Sequence, residues 1–305
     1  MQQAADYNQL PAPPTPPAVF RQFGSYATLR PFGLASPGFM HPLFPSLAAA
    51  CLYFGATAYQ GRHLIRRSTP DKRLLAILGV LALLLHGASL YMQMLNSAGM
   101  TLDFFNAASL IAFAVIALIL LACRNLPVDN LLLPLFPLGA LTTLLAQFMP
   151  SGTLQPLDEE PGILAHILLS IMAYGMLTIA VFQALLLLLQ DHQLKHKHPS
   201  GLIRNFPPLQ TMESLLFGFL WAGWALLSLS LLSGALFIDD LFAQHLVHKT
   251  ILSCFAWVVF AVLLWGRHQL GWRGHKAIRW TLAGFCLLML AYFGSKLVRE
   301  FILHI

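Results

Sequence analysis

The chain has 305 residues, 57% of them hydrophobic and only 10% charged, with a formal net charge of +6. A soluble globular chain carries about 25% charged residues, so the composition excludes an ordinary water-soluble domain and points to an all-α integral membrane protein. The positive balance calls for no nucleic acid, because anionic lipid accounts for it, and no Walker loop or GxGxxG is present to bind a nucleotide.

Residues 1–40 hold seven prolines, five of them in LPAPPTPPAV. They carry no basic n-region followed by an apolar h-region. The segment reads as a disordered, partly polyproline tail, and Met40, directly before the first apolar stretch, is the expected true start. Residues 41–305 read as one membrane domain.

Eight stretches are long enough to span, at about 20 mostly apolar residues each. They run roughly over 43–61, 74–95, 104–123, 131–148, 163–190, 212–237, 247–266 and 278–303. The fourth contains Pro134 and Pro137, which membrane helices tolerate when neighbours satisfy the freed carbonyls. Alternate loops carry 13 of the 18 basic residues, among them Arg62, Lys72, Arg124, Lys195, Arg267 and Arg273. The intervening loops hold Asp103, Asp158, Glu159, Glu160, Asp239 and Asp240. The positive-inside rule then puts the basic loops in the cytoplasm and both termini outside. The four cysteines lie in apolar segments without a CxxC and read as inert buried thiols. The loop histidines His192, His196 and His198 read as part of a solvated basic loop, with metal binding as the alternative.

Ionisable residues at membrane depth are costly and signal function. In the second stretch His86, Ser89, Gln93 and Asn96 share one helical face. In the fifth, His166, Ser170 and Tyr174 recur at i, i+4, i+8. Under the expected orientation His86, His166, His245, His248 and His304 gather toward one leaflet, together with Lys249, Lys296 and Arg299. Imidazoles beside cations suit haem, whose iron takes axial histidine and whose propionates need positive partners. The alternatives stay open: a lone membrane histidine ordinarily makes an interhelical hydrogen bond, and Lys296 and Arg299 can snorkel. Trp221, Trp224, Trp257 and Trp265 read as packing or belt residues.

Three stretches carry a resemblance: AHILLSIMAYGMLTIAVFQALLLLLQDHQLK at 165–195, FPPLQTMESLLFGFLWAGWALLSLSLLSGALF at 206–237, and HKTILSCFAWVVFAVLLWGRHQLGWRGHKAIRWTLAGFCLLMLAYFGS at 248–295. PPLxTxE and GWRGxKA are their most specific motifs. Together they resemble the cytochrome c assembly protein family of multi-span haem-handling membrane proteins, in its shorter HemX/YpjD-like branch. The likeness is strongest over 163–303. It implies a bacterial inner-membrane, cytochrome c-type biogenesis protein that binds or passes b-type haem near the outer leaflet. It implies His86 and His166 as axial candidates, His248 as an alternate, and Lys249, Lys296 and Arg299 as propionate partners. Other cytochrome c maturation proteins are the implied partners. The tryptophan-rich outer loop of fuller members is replaced by IDDLFAQHLV, 238–247, which points to an accessory or regulatory role and away from a haem-attaching synthetase. Competing readings are a small-solute transporter, with Pro134 and Pro137 marking a broken helix, and a cofactor-free regulatory subunit.

Overall fold

The computed structural model describes residues 42–66, 68–96, 99–101, 103–149, 154–155, 161–195, 206–237 and 247–294, all within the unit His41–Ile305. The tail, the Met40 start and most of the 238–247 connection lie outside the described residues. Eight long helices follow in chain order: α1 Leu43–Ile65, α2 Lys72–Met94, α3 Phe104–Ala122, α4 Leu132–Phe148, α5 Pro161–Lys195, α6 Leu209–Phe237, α7 Val247–Leu270 and α8 Gly274–Met289. A 3₁₀ turn, Asp129–Leu131, leads into α4, and a π turn, Leu290–Gly294, extends α8.

Among the described residues seven of these helices, α2 to α8, are long and apolar enough to cross a membrane. The expected eighth, α1, has the length, but Ser46, Thr57, Gln60, Arg62 and His63 dilute its apolar character. The proline-bearing α4 is sound because Pro134 sits in its first turn, where a missing N–H removes no helical bond. Only Pro137 lies in the interior. A small antiparallel ladder was not anticipated. It joins Leu95–Asn96, Gly99–Thr101 and Leu154–Gln155, tying the α2–α3 and α4–α5 connections together at one end of the bundle. Asn96 therefore leaves the polar helical stripe and enters a strand.

The helices pack as two groups. In the first, α1 lies against α2 and α4, and α3 against α2 and α4; in the second, α5 packs along α6 and α8, and α7 along α6 and α8. Contact between α3 and α5 joins them. The bundle has apolar residues outside: Phe44 is 69% exposed, Leu84 65% and Leu236 76%. Polar side chains turn inward, with His86, Ser46, Ser89 and Thr281 fully buried. That inversion suits a hydrocarbon surround, where a polar group must find its partner inside. The cysteines depart from expectation: Cys51, Cys254 and Cys286 lie on the exposed apolar face and Cys123 is half-buried, all as free thiols.

Helix α5 is the axis of the second group. Its 35 residues extend about 52 Å at 1.5 Å per residue, against a hydrocarbon thickness of about 30 Å, so its last turns project at the basic end. A row of polar contacts clamps it antiparallel to α6. Gln190 Nε2 donates to Pro207 O at 3.0 Å and Gln183 Nε2 to Met212 O at 2.9 Å. Ser170 and Ser230 share a hydroxyl hydrogen bond of 2.7 Å.

Candidate functional site

The two motif stretches meet at the basic end. Three residues connect α7 to α8, and the turn needs left-handed backbone at Gly271 (φ 65°) and Gly274 (φ 55°), which glycine adopts without penalty. Between them Trp272 folds back onto Gly266 and donates its backbone N–H to Gly266 O at 3.1 Å. Lys276 Nζ lies 4.4 Å from the Trp272 ring centre. Arg267 Nη1 donates to Glu213 Oε1 at 2.8 Å while its guanidinium covers Phe217. Glu213 of PPLxTxE is thus held by the hairpin that carries GWRGxKA. The ion pair is mostly buried, so this contact is a structural clamp between α6 and the α7–α8 turn.

The histidines lie toward the opposite end. His86 is fully buried on α2. Its Nε2 lies 2.9 Å from Ser109 Oγ on α3 and its Nδ1 3.4 Å from Tyr53 OH on α1. The Tyr53 and Phe113 rings meet it edge-on. Both ring nitrogens are therefore engaged. One turn further along the stripe, Ser89 hydrogen-bonds Ser46 at 2.6 Å, Gln93 Nε2 donates to Ser89 at 2.6 Å, and Ser46 donates to Gln147 Oε1 at 2.9 Å. These contacts join α1, α2 and α4 through polar side chains.

His166 is arranged differently. It sits in the second turn of α5, facing α6. Its Nδ1 is 2.8 Å from the Ser230 carbonyl oxygen and 3.2 Å from Ser233 Oγ. A carbonyl only accepts, so Nδ1 carries the proton, and in the neutral ring the lone pair is on Nε2. That tautomer, fixed by a backbone carbonyl, is the one metal-ligating histidines use. Among the described residues Nε2 has no hydrogen-bond partner. The seat is shaped by Gly234, where an added Cβ would come within 3.0 Å of the His166 ring. Ser170 and Tyr174 continue the stripe: Tyr174 OH donates to Leu288 O on α8 at 2.6 Å, just before the π turn, and its ring meets Tyr292.

The remaining expected site residues divide. His248 is exposed in the first turn of α7, next to the half-buried Lys249. Lys296, Arg299, His245 and His304 lie outside the described residues. The rings of His86 and His166 share no partner: one is enclosed by α1 and α3, the other by α6. Trp224 and Trp257 stack at 5.3 Å between α6 and α7, and Trp257 Nε1 donates to Ser228. Trp221 and Trp265 face outward, 51% and 57% exposed, as packing and belt residues do. Sequence reasoning missed the serines that seat both histidines. Their signal was the isolated hydroxyls in otherwise apolar helices, Ser109 on α3 and Ser230 and Ser233 on α6. Among the described residues no group of three or more histidine, cysteine or acidic side chains is placed to hold a metal ion.

These features define a multi-pass helical membrane protein with its polar chemistry turned inward. Residues 74–303 match the cytochrome c assembly protein family, and the chain belongs to it, in the HemX/YpjD-like branch. It is 36% identical over 265 residues to the inner membrane protein YpjD of Escherichia coli, covering 86% of this chain and 99% of that protein. Protein HemX of Brevibacillus brevis is 22% identical over 52% of this chain and 60% of its own length. The cytochrome c biogenesis protein CcsA of Chlamydomonas reinhardtii is 23% identical over 50% of this chain and 43% of its own length.

Proposed function

We propose that this protein binds or passes b-type haem near the outer leaflet of a bacterial inner membrane, as an accessory or regulatory component of cytochrome c biogenesis. The observation that carries the reading is the His166 tautomer. Its Nδ1–H is committed to the Ser230 carbonyl at 2.8 Å, which leaves Nε2 able to form one axial bond to iron. Bound haem would supply a redox-active iron; the chain supplies the ligand, a dry apolar surround and cations for the propionates.

His248, in the first turn of the helix that follows α6, is the favoured second axial candidate. His86 could reach iron only by giving up its hydrogen bond to Ser109, so its role in this reading is to hold α2 against α1 and α3. Lys249 would meet a propionate, with Lys296 and Arg299 as further partners beyond the described residues. By the positive-inside rule the basic loops lie in the cytoplasm and the histidine end lies outside. With α1 crossing beside α2 and α4, against which it packs, the chain has eight spans and both termini outside. Support for an inner-membrane location comes from the YpjD relative, and support for a biogenesis role from the CcsA relative. The short 238–247 connection favours an accessory role over haem attachment.

The test is the visible spectrum of protein purified in mild detergent, before and after adding haem. A Soret band in the wild type that is lost in His166→Ala is expected. A colourless wild type that leaves added haem in its free spectral form overturns the reading. It then favours the cofactor-free subunit, to which the fully partnered His86 also lends itself.

A further inference from the structure

At the basic end, where α5 leaves the apolar zone, a cavity of about 430 Å³ opens between α5 and the first turn of α8. Leu185, Leu188 and Leu189 line it on one side, and Asp191, His192, Lys195 and His275 form its rim. The order along α5 is informative. The leucines lie about two to three turns before Lys195 on the cavity side of the helix, so the cavity changes from apolar at membrane depth to ionic at the surface. Asp191 is the one acidic group of the rim. It accepts from Lys195 Nζ at 2.8 Å and lies 3.5 Å from His275 Nδ1. One turn after His275 on α8 stands Arg279, also exposed. Lys195 carries three donors and spends one on Asp191. The rim therefore keeps donors left over, with the Arg279 cation one turn beyond it on α8.

We propose that this cavity seats one anionic glycerophospholipid, with an acyl chain along Leu185, Leu188 and Leu189 and the phosphodiester between Lys195 and His275. A free phosphate would gain nothing from the leucine wall, whereas a phospholipid uses both parts. Basic pockets between spans on the cytoplasmic side recognise anionic headgroups in this way. Asp191 orients Lys195 and His275 and lowers the net charge they present. The inference is independent of the haem reading.

The test is native mass spectrometry of the full chain in detergent with added phosphatidylglycerol, phosphatidylcholine or inorganic phosphate. Phosphatidylglycerol should be retained over phosphatidylcholine, and Lys195→Gln should weaken it by about fivefold, with His275→Gln weakening it further. Both side chains are substantially exposed, so the fold should survive. Asp191→Asn should strengthen retention, which a merely misfolded protein would not do. Equal retention of the two lipids overturns the proposal, as does retention indifferent to all three substitutions. Displacement of phosphatidylglycerol by millimolar phosphate would reassign the site to a free anion.

Discussion

One buried and one half-buried histidine have different hydrogen-bond states, and that difference predicts different mutational effects. His86 is closed on both nitrogens by Ser109 and Tyr53. His86→Ala removes a fully buried ring and strands the Ser109 hydroxyl, so it should lower stability by about 2–4 kcal/mol in denaturant unfolding in detergent. His166 is closed on one nitrogen only. Gly234→Ala should push its ring from the seat on α6 and shift or abolish the haem spectrum while leaving the melting temperature nearly unchanged. An unaltered spectrum would detach the Gly234 contact from function. The sequence could place both histidines on inward faces, because the spacing of His86 with Ser89 and of His166 with Ser170 is helical. It could not say which ring nitrogens each would commit to a hydrogen bond. That depends on which backbone carbonyl and which hydroxyl of another helix come to face the ring.

At the scale of elements, the α7–α8 hairpin is the most tightly specified connection. Gly271 and Gly274 both lie at positive φ, where a side chain costs about 1–2 kcal/mol. Each glycine-to-alanine substitution should lower thermal stability by that amount. The Glu213–Arg267 pair is mostly buried. Glu213→Gln leaves Arg267 uncompensated and should destabilise by about 1–3 kcal/mol, with Arg267→Met in the Glu213→Gln background restoring part of the loss. Helix positions were legible from apolar run length, including α4, where Pro134 falls in the first turn and Pro137 alone interrupts the interior. The short ladder was not legible, since two- and three-residue strands have no periodicity to read. Nor was the outward placement of three cysteines, because helices apolar on every side give no sign of which face meets lipid.

For the whole molecule, orientation and ligand are linked claims. The alternation of basic and acidic loops was plain in the sequence, and the two groups of helices joined through α3 and α5 were not, because packing partners depend on contacts between distant segments. On the proposed orientation, with both termini outside, thiol-specific labelling of intact cells from without should modify a cysteine introduced near Asp103 and spare one introduced at Arg273; the reverse pattern would invert the bundle and with it the leaflet of His166. The account stands most directly on a haem titration of three purified proteins followed at the Soret band. Wild type and His86→Ala should saturate near one haem per chain while His166→Ala does not bind. Equal binding by all three, or loss in His86→Ala alone, would contradict it.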